Sequence, residues 1–179
     1  MKYLISFLTI FRIISSPVIL IISLFFDSYF FALVLFIVAS ITDYLDGMLA
    51  RKYKLESVFG AVLDPIADKI LLVFALITIT ISLNNPYVAI MSSVILSREF
   101  LVTGLREYSA INNHQVSLKV SSLAKAKTTI QFISIALFLL GLSSRNALLL
   151  FIATFVLFLA VLITLKTGLE YSSRFFKAP

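Results

Sequence analysis

Residues 42–68 read TDYLDGMLARKYKLESVFGAVLDPIAD, and the reading of this stretch decides how the chain is built. Four aspartates, Asp43, Asp46, Asp64 and Asp68, stand in it between long runs of Leu, Ile, Phe and Val. A carboxylate within hydrocarbon costs roughly 2.5 to 3.5 kcal/mol even on the lenient insertion scale, so four together require compensation. One solution is solvation at a helix end with Arg51 and Lys52 as partners. The other is a bound cation. Oxygen donors without His or Cys suit hard divalent ions such as Mg2+ or Mn2+, and two such ions make a site for phosphoryl chemistry.

Outward from this stretch the composition is that of a membrane protein. Of 179 residues 60% are hydrophobic and 13% charged, with a mean hydropathy of +1.06, far from the usage of soluble domains. The expectation is an all-α integral membrane protein forming a single domain over residues 1–179. Its apolar segments continue to the last residues, so no cleaved secretory leader is expected. The absence of Cys excludes disulfides, thiolate nucleophiles and Cys-ligated metals. A net charge of +6 fits loops against an anionic membrane surface rather than nucleic acid. His114 reads as a solvated loop side chain.

A spanning helix needs about 20 mostly apolar residues. Polar breaks at Asp27-Ser28, Lys52 to Ser57, Asn84-Asn85-Pro86, Ile111 to Val116 and Ser143 to Asn146 divide the chain into six such segments, near 4–26, 29–51, 58–83, 86–109, 119–142 and 146–168. Arg51, Lys52 and Lys54 mark the second loop, Arg106 and Lys119 the fourth, and Lys166, Arg174 and Lys177 the tail. The first and third loops carry no Lys or Arg, and the fifth only Arg145. The positive-inside rule then predicts six transmembrane helices with both termini cytoplasmic, in the cell (inner) membrane.

With that topology the second helix runs toward the cytoplasm and the third runs back. At ~1.5 Å per residue all four carboxylates fall in one layer, roughly 8 to 12 Å from the second loop. At ~100° per residue Asp43, Asp46, Gly47, Ala50 and Arg51 share one face of the second helix, and Gly60, Asp64 and Asp68 recur at i, i+4 on the third. Small residues beside acids leave room for a bulky ligand. Asp64-Pro65 is compatible both with a kinked continuous helix and with a helix that starts at Pro65.

The pattern Asp43-x-x-Asp46-Gly47-x-x-Ala50-Arg51, eight residues, Gly60-x-x-x-Asp64-x-x-x-Asp68 resembles in every defined position the signature of the CDP-alcohol phosphatidyltransferases. The resemblance implies a six-helix, homodimeric membrane enzyme with a cytoplasmic-side site, in which an alcohol displaces CMP from a CDP-linked lipid with the help of divalent metal. It implies Asp43, Asp46 and Asp64 as principal metal ligands and Asp68 as a further ligand and general base. Gly47, Ala50, Arg51 and Gly60 would line the CDP pocket together with Asp43 and Asp46. Further along, Ser97-Arg98-Glu99-Phe100-Leu101, Gly104-Leu105-Arg106-Glu107-Tyr108 and Ala124 to Gln131 resemble the branch that joins glycerol 3-phosphate to CDP-diacylglycerol; Thr9, Arg12 and Pro17 are its N-terminal elements here.

Read physically, Arg98 lies roughly 16 Å into its helix, too deep for easy snorkelling, so it faces an acid or an aqueous cavity. Glu99 is its nearest acid, although adjacent helix positions point ~100° apart. Arg106, ~80° from Arg98, can flank the same pocket. Lys125 and Lys127 differ by ~200°, so only one of them faces a ligand there. Arg98, Arg106, Lys125 and Lys127 are the candidate binders of an acceptor phosphate. The sixth helix offers no functional residue, and Tyr171 to Lys177 reads as a basic interfacial tail. Competing functions are transfer to another acceptor, such as inositol phosphate or serine, and a small ion transporter; the near absence of ionisable residues in the outer half argues against a conducting path.

Overall fold

The computed structural model describes residues 2–53, 58–111 and 122–177, with side chains for residues 7–42, 63–109, 111, 126–173 and 175. Six helices account for them: α1 (Lys2–Phe26), α2 (Tyr29–Tyr53), α3 (Val58–Leu83), α4 (Pro86–Ile111), α5 (Ser122–Ser144) and α6 (Ala147–Lys177). Every described element is helical.

The helices end where local chemistry closes their backbones. Asp27 (φ 51°), Asn84 (φ 45°) and Arg145 (φ 51°) take the left-handed conformation just past α1, α3 and α5. This turns the following amides back onto carbonyls that the helix leaves without donors. Ser28 N donates to Ile22 O at 3.2 Å, Asn84 N to Thr80 O at 3.2 Å and Asn146 N to Gly141 O at 3.0 Å. α4 and α6 then start on an Asn cap. Asn85 Oδ1 accepts from Tyr87 N at 2.9 Å, and Asn146 Oδ1 accepts from Leu148 N at 3.0 Å and Leu149 N at 3.2 Å. Two-residue turns of this kind force antiparallel neighbours, so α1 with α2, α3 with α4, and α5 with α6 are helical hairpins.

Helix packing closes a ring in the order α1, α2, α5, α6, α4, α3, with α3 also touching α2 and α5. Ile19, Phe36, Leu71, Ile79, Phe138, Leu139 and Leu157 fill its core. Buried Ala32, Ala39, Ala67, Ala75, Ala153 and Ala160 let helix axes approach, as interfaces between helices in lipid require. The outer surface carries Phe25, Phe31, Ile90, Leu148, Phe151 and Leu169, all largely exposed. Such a surface is unfavourable in water and neutral against acyl chains.

Five helices are long and apolar enough to cross a membrane: Phe7–Phe26, Leu63–Leu83, Pro86–Ser109, Ala126–Ser144 and Ala147–Ser173. Among its described side chains α2 contributes the apolar stretch Tyr29–Thr42, and Asp43 and Asp46 follow it in the sequence. The expected six helices are present, with five apolar spans of full length. Two other expectations are settled here. α3 runs unbroken through Pro65, which places Asp64 and Asp68 one turn apart on one face. The segment Tyr171 to Lys177, expected as a basic interfacial tail, is helical and continues α6 to Lys177.

Gly141 shows how tightly the α5–α6 hairpin closes. A Cβ there would stand 2.7 Å from Leu150 Cδ2 and 3.2 Å from Leu150 N. Gly141→Val is expected to destabilise the protein by about 1–3 kcal/mol, read as a lower unfolding temperature in detergent, with kinetic constants of the surviving protein unchanged.

Candidate active site at one end of the ring

Two side chains of α1 reach the acids of α3. Thr9 Oγ1 donates to Asp64 Oδ1 at 2.7 Å, and Arg12 Nη1 donates to Asp68 Oδ1 at 2.6 Å. Both numbers rise together along the two helices, so α1 and α3 run parallel and in register here. Thr9 and Arg12 are buried, and Arg12 is the largest side chain sealed completely in the core. An ion pair this deep is kept only where geometry and further bonds offset the loss of hydration. Its effect is to fix the rotamers of both carboxylates. Asp68 retains 42% exposure and borders a cavity.

That cavity, of about 410 Å³, lies between α3, α4 and α5. Asp68 and Lys69 stand on one wall; Arg98, Glu99 and Arg106 of α4 and Lys127 of α5 stand on the others. Among the described residues that line it, with each side chain in its usual charge state, four cations and two acids leave an excess of two positive charges. A charged lining of this density in a helix bundle marks a binding site for an anion.

Three of these cations, Arg98, Arg106 and Lys127, are held by partners on α4 and α6. Glu99 Oε1 accepts from Lys127 Nζ and, at 3.4 Å, from Arg98 Nη1. Arg98 Nη2 donates to Thr167 Oγ1 at 3.0 Å. The Arg106 guanidinium lies 5.4 Å from the centre of the Tyr171 ring, within cation–π range, and Tyr108 packs edge-on against Phe175 at 5.8 Å. Gln131 Nε2, one turn beyond Lys127, donates to Thr164 Oγ1 at 3.1 Å. Arg98 thus has the expected acid, Glu99, as a partner, and the cavity opens beside it. Of the two α5 lysines, Lys127 is the one seen at the cavity, only 4% exposed.

Asp43, Asp46, Gly47, Ala50 and Arg51 lie in α2, and Gly60 in α3, but their side chains are outside the described residues, as are Lys125's side chain and His114. Among the described residues no three acidic, His or Cys groups converge as a metal set. The donor chemistry at Asp64 and Asp68 is nonetheless all oxygen, on one helical face, and α2 brings two more acids to the same end of the bundle.

Three residues were overlooked in the sequence. Arg12 carried the same depth signal as Arg98: a cation well inside an apolar helix. Thr167 and Tyr171 carried none, because a Thr and a Tyr near the end of a Phe-rich helix are ordinary there. α6, from which no functional residue was expected, contacts Arg98 through Thr167 and Arg106 through Tyr171, the second of these beyond the span that was expected to end at residue 168.

The sequence profile of the CDP-alcohol phosphatidyltransferase family matches residues 3–166. A CDP-diacylglycerol–glycerol-3-phosphate 3-phosphatidyltransferase of Rickettsia typhi is 40% identical over 174 residues, covering 96% of this chain and 96% of the relative. The enzyme of the same name from Cereibacter sphaeroides is 46% identical over 140 residues, which is 76% of this chain and 62% of the relative's length. The one from Haemophilus influenzae is 36% identical over 169 residues, covering 92% and 89%.

Proposed function

The chain belongs to the CDP-alcohol phosphatidyltransferase family, and from that premise we propose that it transfers the phosphatidyl group of CDP-diacylglycerol to sn-glycerol 3-phosphate, giving phosphatidylglycerophosphate and CMP. The observation that carries the choice of acceptor is the polar cavity, in which Asp68 and Glu99 share a small space with Lys69, Arg98, Arg106 and Lys127. A phosphate monoester dianion matches its two excess positive charges. Serine, bearing an ammonium group, does not.

In this reading Arg98, Arg106 and Lys127 bind the acceptor phosphate, with Lys125 the remaining candidate on α5. Guanidinium forks suit phosphate oxygens bidentately, whereas Lys adds a point charge. Asp68 takes the proton of the attacking hydroxyl as its oxygen forms a bond to the lipid-bearing phosphorus. The bond from that phosphorus to the bridging oxygen breaks, and the electron pair leaves with CMP. Arg12 keeps Asp68 turned toward the cavity. Asp43, Asp46, Asp64 and Asp68 are the residues that would hold Mg2+ or Mn2+, two ions in our reading. Bound metal would supply neutralisation of the diphosphate. Asp43, Asp46, Gly47, Ala50, Arg51 and Gly60 would receive the CDP group.

The same reading makes the protein a homodimer of the cell (inner) membrane with its site on the cytoplasmic side, supported by the Lys and Arg residues gathered at that end. The purified protein in detergent, given CDP-diacylglycerol and a panel of alcohols, is expected to release CMP with glycerol 3-phosphate and to stop on addition of EDTA. Preference for serine, inositol phosphate or an uncharged alcohol would reject the acceptor. Undiminished release in EDTA would reject the metal.

A further inference from the structure

The partners of Arg98 on α6 have a geometry that ordinary packing does not require. Thr167 is buried, and its hydroxyl lies 2.8 Å from Ile163 O and 3.1 Å from Thr164 O. Its hydrogen is thus committed to its own helix. The oxygen faces α4 as a fixed acceptor, and Arg98 Nη2 meets it at 3.0 Å. The next residue, Gly168, supplies clearance for the rest of the same side chain. A Cβ there would come within 2.9 Å of Arg98 Cγ and 3.3 Å of Nε.

One turn of α6 therefore sets both ends of Arg98. Its stem lies in the space left by Gly168, and its tip is fixed by Thr167. This placement leaves Nε buried without a hydrogen-bond partner, a cost that packing alone would not favour. It has a return at the other end: Nη1 and Nη2 each spend one hydrogen on protein, so the second N–H of each stays available at the cavity. A guanidinium has five such donors in fixed directions.

We propose that Thr167 and Gly168 are positioning residues for Arg98, and through it determine how well the enzyme accepts a phosphate-bearing alcohol. The inference rests on the acceptor reading given above. Neither residue touches substrate; both act on where the guanidinium points, and a displacement of one ångström at such a contact is enough to weaken it.

Thr167→Val keeps shape and removes the acceptor, and Gly168→Ala pushes the stem away. Each is expected to raise the KM for glycerol 3-phosphate about tenfold, with kcat and the KM for CDP-diacylglycerol within about twofold of wild type. Thr167→Ser, which restores the hydroxyl, is expected to recover the wild-type KM. In an Arg98→Gln background neither substitution is expected to raise the KM further, since the group they position is gone. Unchanged KM in both variants, or equal increases with and without Arg98, would overturn the role of α6. A loss of kcat with a lowered unfolding temperature and no KM effect in Gly168→Ala and Thr167→Val would do the same, by reducing the turn to packing. A wild-type protein that ignores glycerol 3-phosphate overturns the acceptor reading instead, so the two failures are distinguishable.

Discussion

Asp64→Asn and Asp68→Asn are expected to lower CMP release by about 10²- to 10⁴-fold while the protein remains folded. The amide keeps an oxygen in place, so Thr9 can still donate to residue 64 and Arg12 to residue 68. What is lost is negative charge. At Asp68 that loss also removes the base that accepts the acceptor's proton, and at Asp64 it removes a donor from the set proposed to hold metal. Asp43→Asn and Asp46→Asn belong to the same expectation. Rates with saturating substrates, together with unfolding temperature and elution volume in detergent, separate chemistry from folding. Near wild-type turnover in any one of the four would remove that residue from the site. Asp68→Asn is further expected to bind CDP-lipid better than Asp43→Asn does, as a proton-transfer lesion rather than a binding lesion. Equal loss of binding would dissolve the division of roles.

Arg98→Gln and Arg106→Gln are expected to raise the KM for glycerol 3-phosphate by roughly 10- to 150-fold, the equivalent of one hydrogen bond to a charged group at about 1.5 to 3 kcal/mol. The KM for CDP-diacylglycerol is expected to move far less, because its diphosphate is assigned to Arg51 and to the metal that the acids of α2 and α3 would hold. The two arginines differ in support. Arg98 is braced by Glu99 and Thr167, so its contact is the more sharply oriented; Arg106, exposed and lying over Tyr171, gives up more of its interaction to solvent. Arg98→Gln should therefore have the larger effect. Steady-state kinetics with glycerol 3-phosphate varied at fixed lipid reads both. If each stays within about twofold of wild type, the phosphate lies elsewhere and the acceptor assignment falls, while membership of the family stands.

Much of this arrangement was legible in the sequence because it follows from local chemistry. Helix ends were set by short polar breaks, and the i, i+4 recurrence of Gly60, Asp64 and Asp68 put the acids on one face. Depth alone singled out Arg98. Pairings between distant helices were not legible. Nothing local to Arg12 announces Asp68, 56 residues on, and nothing local to Thr167 announces Arg98, 69 residues back. That Lys127 faces the cavity depended on how α5 is rotated in the ring, which packing against α2 and α6 decides. Helical periodicity likewise left Pro65 ambiguous, because the loss of one backbone bond is tolerated where neighbouring helices hold the segment.

The three two-residue turns bear on how the chain enters a bilayer. Asp27-Ser28, Asn84-Asn85 and Arg145-Asn146 each have backbone amides folded back onto the preceding helix. A hairpin carrying such a turn takes few unsatisfied polar groups and at most one charge through the hydrocarbon. Moving the opposite end across would drag Arg51, Lys52 and Lys54 with it, at a cost of several kcal/mol. Insertion is therefore cheapest as three helix pairs, each threaded turn first. In the proposed orientation the cation-rich segments between pairs never cross, and the acids and arginines of the site come together on the side where the chain is made.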